Sequence, residues 1–185
     1  MVVNGGGAVT PNIEPLVGAD LILLLLAAPT SVRTAQHRIN GVTRMEKLLF
    51  LADKEADIAA LVIEPLKFVP YNFGPYSKQV YEAVDILEEA QLLSEERNLD
   101  ANGLDSLEEA DATADETDYV ERRFLLTDEG KAVSELLGGQ HADVVQKLSE
   151  IKNRYAAMSL RELIRYVYTK YPPLAEKSLI RDQFL

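Results

Sequence analysis

The sequence predicts a mainly α fold: a compact helical domain with one small β-hairpin. Three observations predict it. Apolar residues recur at helical spacing in separate stretches, among them Met45, Leu48, Leu49 and Ala52, and again Leu160, Leu163, Ile164, Val167, Tyr168 and Tyr171. Segments that suit extended backbone are short and confined to 66–73, 92–96 and 119–126. The 185 residues, 47% hydrophobic and 26% charged, have the profile of a soluble domain built on a single core.

Taken in order, residues 1–11 hold Asn4-Gly5-Gly6-Gly7 and no basic residue ahead of an apolar run, so they predict a disordered tail and not a leader. Ile13 to Ala28 predicts a first helix, opened by Thr10-Pro11-Asn12 and stopped before Pro29. Its run Leu21 to Ala28 is apolar on most sides and belongs at the centre, yet is far shorter than the roughly 20 residues that cross a bilayer. No membrane association is expected, and a cytoplasmic location is the default. Thr30 to Asn40 reads as a linker. With the following turn it collects Arg33, His37, Arg38, Arg44 and Lys47, a small basic patch that fits either a solvated surface or a phosphate site.

Thr43 to Ala56 predicts the second helix, with Thr43 and Glu46 spaced as a capping box. A loose apolar segment, Asp57 to Leu66, leads to an extended piece, Leu66 to Phe73, with Phe68 and Phe73 inward. Gly74 permits an unusual backbone angle and Pro75 suits a first helical turn, so a third helix is expected from Pro75 to Gln91. That helix places Tyr76, Val80, Val84 and Leu87 on one face. Toward solvent it turns Lys78 against Glu82, Asp85, Glu88 and Glu89, a net of -3.

Leu92 to Glu96 and Tyr119 to Leu126 are expected to pair as a hairpin. Two strands directly after a helix would form the wing of a winged-helix-like core. Residues 95–118 between them hold ten acids against one base, Arg97, a net of -9, so the rest of the chain carries only -2 of the total of -11. So acidic a segment, poor in large apolar groups, reads as a mobile loop. The charge argument against a polyanionic partner is therefore local.

Thr127 is placed to cap a helix that follows the hairpin. These elements make residues 12–140 one domain, and 141–185 a helical extension packed on it. In the extension Val144, Leu148, Ile151, Tyr155 and Met158 share one period; Ser159 and Glu162 form a capping box before the next helix, which Pro172-Pro173 ends. Leu174 to Leu185 reads as a last helix or turn.

Without cysteine there is no disulfide or thiolate metal site. The only histidines, His37 and His141, are far apart in the chain and suggest no triad or paired-histidine metal motif. Gly5-Gly6-Gly7 has neither a strand before it nor a lysine after it, so it is no phosphate loop. The expectation is a protein that catalyses nothing and needs neither cofactor nor metal.

Two stretches resemble known families. Lys47-Leu48-Leu49-Phe50-Leu51-Ala52-Asp53, then Phe68 to Phe73, then Gly74-Pro75-Tyr76-Ser77-Lys78-Gln79-Val80-Tyr81, is similar to the Panacea domain of SocA-like antitoxins and to YwgA-type bacterial proteins. Arg123-Phe124-Leu125-Leu126-Thr127-Asp128-Glu129-Gly130 resembles the segment after the wing in winged-helix regulators of the PadR and MarR kind. The first resemblance implies a helical domain acting by direct contact with a partner protein, such as a toxin encoded nearby, or an adaptor. The second implies a DNA-binding regulator. Arg44, Lys47, Tyr71, Tyr76, Lys78 and Tyr81 are the candidate recognition surface, with Tyr76 and Tyr81 open to a core role. Arg122 and Arg123, beside Arg44 and Lys47, are the candidate DNA contacts of the alternative, and self-association stays open under both.

Overall fold

Six consecutive apolar side chains, Leu21 to Leu26, leave no face of a helix for water, and each is at most 3% exposed. In the computed structural model, which describes residues 15–72, 74–98 and 121–178, they form the middle of α1, Gly18–Ala27. The helix begins later than its expected start at Ile13. Leu16 is instead bridged to Val62, and the Asp20 carboxylate accepts the Val17 N–H at 2.8 Å, so Asp20 supplies the first-turn acid that the amino-terminal dipole favours. At the other end, ahead of Pro29, the fully buried Lys152 donates to the carbonyls of Leu26 and Ala28 at 2.7 and 3.2 Å. Burial lowers the Lys152 ammonium to about 7.

Five more helices among the described residues complete the α part: α2 (Val42–Ala56), α3 (Lys78–Glu89), α4 (Asp128–Gln140), α5 (Ala142–Tyr155) and α6 (Leu160–Lys170). α2, α3, α4 and α5 all pack on α1, while α5 and α6 pack on α2. The caps of α4 and α6 follow the local sequence. Thr127 Oγ1 accepts the Gly130 N–H at 2.9 Å, and Ser159 and Glu162 exchange the two bonds of a capping box. Met158 lies beyond α5, in the turn before α6, and a 3₁₀ turn, Pro172–Ala175, ends the described chain's regular structure.

α2 starts differently from its expected capping box. Its cap is Gly41, at φ 77°, with no side-chain cap; Thr43 lies inside the helix, and Glu46 turns into the core. α3 also differs, because Pro75 belongs to a strand and the helix starts only at Lys78, after Ser77.

Two sheets accompany the helices. In the first, β1 (Arg38–Asn40), β4 (Leu93–Asn98) and β5 (Glu121–Leu126) run antiparallel in the order β1-β5-β4. The expected hairpin is present, with Leu93 opposite Leu126 and Asn98 opposite Glu121. Residues 95–98, read as the start of the acidic loop, are strand; 99–120 lie outside the described residues, as do residues 1–14 and Phe73. β1 falls in the expected linker. Three residues are too few to display alternation, and pairing creates the strand, with Ile39 opposite the buried Phe124. The second sheet is a ribbon of β2 (Val69–Tyr71) and β3 (Gly74–Tyr76), with Pro70 facing Pro75. No helix among the described residues is long and apolar enough to cross a membrane.

Candidate functional site

Helical spacing puts Met45, Leu48, Leu49 and Ala52 of α2 in the core, each at most 2% exposed. Tertiary packing adds two charges. The Lys47 ammonium donates to Glu46 Oε2 at 3.0 Å and to the Pro75 carbonyl at 2.7 Å, while Glu46 Oε1 accepts the Ser77 N–H at 2.6 Å. Where β3 gives way to α3, these backbone groups lie away from water and need partners. The ion pair supplies them. Burial raises the Glu46 carboxyl above its ordinary range, against the pull of Lys47. Beside it Gly74 sits at φ 91°, and a Cβ there would lie 2.6 Å from Cε1 of Tyr168. The Gly-Pro corner is thus held from below by α2 and from the side by α6.

Above this support three tyrosines run in a row across the ribbon onto α3. The rings of Tyr71 and Tyr76 are 4.9 Å apart, and those of Tyr76 and Tyr81 are 5.4 Å apart. Tyr71 is exposed and the other two are half-buried. Lys78 opens α3 and pairs with Glu82 at 2.5 Å. Further along the same helix Glu82, Asp85 and Glu89 are exposed, and among them Ile86 is 58% exposed. Glu88, half-buried, has its carboxyl raised by burial and then by the negative charges of Glu95 and Asp85, with Arg122 opposing. The acidic face of α3 therefore continues toward β4.

Of the six residues expected on a recognition surface, Tyr71, Tyr76 and Tyr81 come together, with Lys78 on the adjoining turn. Lys47 does not belong to it: at 1% side-chain exposure it is part of the support beneath. Arg44 is directed elsewhere, its Nη1 donating to the Met158 carbonyl at 2.6 Å. Arg122, expected at a DNA contact, has its Nη2 on Glu95 at 2.6 Å and its guanidinium over the Phe124 ring, while Arg97 holds the same carboxylate. Arg123 stands on β5 between Asn40 and Glu96.

The sequence reading missed Ile86, although an isoleucine among four acids on one helix was its signal. It also missed Glu55, at the far end of α2. That carboxylate accepts from Tyr155 at 2.5 Å, Tyr166 at 3.0 Å, Tyr171 at 3.1 Å and Lys170 at 2.8 Å. Burial alone would raise it, but the Lys170 bond, followed by the three hydroxyls, holds the carboxyl down at about 2. The tyrosines' helical spacing announces burial and says nothing of a shared acceptor. Among the described residues no group of three or more histidines or acids is placed to hold a metal ion. No protein-family model matches the chain, and comparison with curated proteins finds no match.

Proposed function

We propose that the protein is a non-catalytic protein-binding module, antitoxin- or adaptor-like, whose contact surface is the tyrosine row together with the outer face of α3. The carrying observation is the row itself: three tyrosines in successive ring contact, Tyr71 among them exposed, leading onto the helix that carries the exposed Ile86 among exposed acids. Tyrosine and isolated apolar anchors supply binding energy at low entropic cost, and a charged rim selects the partner. A partner suited to this surface carries an apolar anchor with lysine or arginine around it. The rigid support from Glu46, Lys47 and Gly74 favours this use, because a surface already ordered loses less freedom on binding.

The test is co-expression with the product of the neighbouring gene. Growth rescue and a co-purifying complex are expected, both abolished by Tyr76→Ala and by Ile86→Asp in chains whose melting temperatures stay close to the parent's. A neighbour that is not toxic and forms no complex would count decisively against an antitoxin.

A second reading, a winged-helix DNA-binding regulator, draws on the order of elements: α1, β1, α2, α3, then the β4–β5 hairpin, with β1 beside β5. In a winged helix of that order α3 would enter the major groove. Its exposed acids would then meet phosphates with like charge, and Glu95 already engages Arg122 and Arg97. The first reading is favoured for that reason. A duplex shift at low salt that weakens steeply as salt rises would reverse the preference.

A further inference from the structure

Val69 and Tyr71 lie two positions apart on β2, so they point to the same side of the ribbon, and both are exposed. Val69 stands opposite Tyr76 in the register, which puts Tyr76 on that side too, and Tyr76 meets Tyr81 on α3. The ring planes are tilted by 39° between Tyr71 and Tyr76 and by 40° between Tyr76 and Tyr81. Neighbouring rings therefore splay and do not stack flat, and a shallow notch opens between each pair.

The backbone here is poorly suited to an added strand. Pro70, in the middle of β2, has no N–H and faces Pro75, and the 3₁₀ turn Pro172–Ala175 packs on β2. A polyproline II segment suits the surface better, because it needs ring faces and no sheet edge. It rises about 3.1 Å per residue with about three residues per turn, so one turn covers roughly the two ring steps of 4.9 and 5.4 Å. Being extended already, it loses little freedom on docking. One end of the row is charged. Asp85 lies one turn beyond Tyr81 on α3 and Glu89 one turn beyond that, both exposed. Glu88 beside them feels the charges of Glu95 and Asp85. Lys78, the only base of α3, is paired with Glu82.

We propose that the row holds a proline-rich segment of the partner in the polyproline II conformation, its prolines against the ring faces of Tyr71, Tyr76 and Tyr81 and a lysine or arginine at one end beside Asp85 and Glu89. This names the class of partner for the contact surface above and rests on that reading. Ring faces do the holding, with the acids setting the direction in which the segment lies.

Fluorescence anisotropy of the full chain with the labelled peptide Arg-Ala-Leu-Pro-Pro-Leu-Pro-Ala tests it, beside one copy with alanine at each proline and another with glutamate for the arginine. The first peptide is expected to bind at least about tenfold more tightly than the alanine copy. Its advantage over the glutamate copy should be about two- to fivefold and should shrink as salt rises. Tyr71→Ala, at an exposed side chain, should weaken binding about tenfold with the melting temperature unchanged, and Tyr71→Phe should keep most of the affinity. Asp85→Lys should reverse the preference between the arginine and glutamate peptides. No anisotropy change with the first peptide, equal binding of the alanine copy, or full affinity in Tyr71→Ala would each overturn the proposal. A complex with the neighbouring gene's product that forms while no peptide binds overturns the proline-rich partner alone and leaves the contact surface in place.

Discussion

Near its start α2 commits Glu46 and Lys47 to a sealed pair beneath the Gly74–Pro75 corner, with side chains 4% and 1% exposed. At its last turn Glu55 gathers three tyrosine hydroxyls, Lys170 and Arg154 from α5, α6 and the residue just beyond, and both cations reach solvent. Both arrangements tie α2 to segments distant in the chain. They differ in what remains when one member is lost. A sealed pair leaves a bare buried charge, which is costly. A carboxylate with several donors loses one of them and keeps the rest. The corner is thus built to be rigid and intolerant of change, and the Glu55 cluster to hold the carboxy-terminal helices with redundancy.

The sharpest test of this contrast is Lys47→Met. It should lower stability by about 3–5 kcal/mol, read from the urea midpoint at constant slope, and adding Glu46→Gln should restore much of the loss. If Lys47→Met proves as stable as the parent, the pair is not sealed. Gly74→Ala comes next. A left-handed angle costs a non-glycine residue about 1–3 kcal/mol, and the clash with Tyr168 adds to it. A change within a few tenths would show that the corner yields. At the other end of α2, Tyr166→Phe removes one donor of several and should cost only about 1 kcal/mol; a loss as large as that of Lys47→Met would erase the distinction.

The smallest effects are in pH dependence, and the two ends have opposite signs. Glu55 has a folded value of about 2 against an ordinary 4.5, so its stabilisation is complete above 4.5 and is lost as pH falls toward 2. Glu46 is raised by burial, so its folded form keeps a proton that the unfolded chain has released, and stability declines as pH rises from 4.5 through that raised value. Denaturation midpoints measured along pH should lose the first slope in Glu55→Gln and the second in Glu46→Gln. Slopes unchanged in both variants would remove the electrostatic contrast.

Residues in local register were legible from the chain alone. The centre at Leu21 to Leu26, the Thr127 cap and the Ser159–Glu162 box all depend on neighbours within a few positions, where period and spacing carry the information. The Gly74 backbone angle was legible for the same reason, but Pro75 was misplaced, since its fixed φ suits an edge ribbon as well as a first helical turn. Lys47 read as surface because lysine usually is, and only the Pro75 carbonyl, 28 residues away, gives it a buried place. Pairing with β5 likewise made β1, and folding set five donors around Glu55. Sequence settled where most of the helices and the β4 and β5 strands fall; the short strands β1 and β3 and which faces meet were decided by packing, because a contact between distant segments leaves no mark on the spacing of either one.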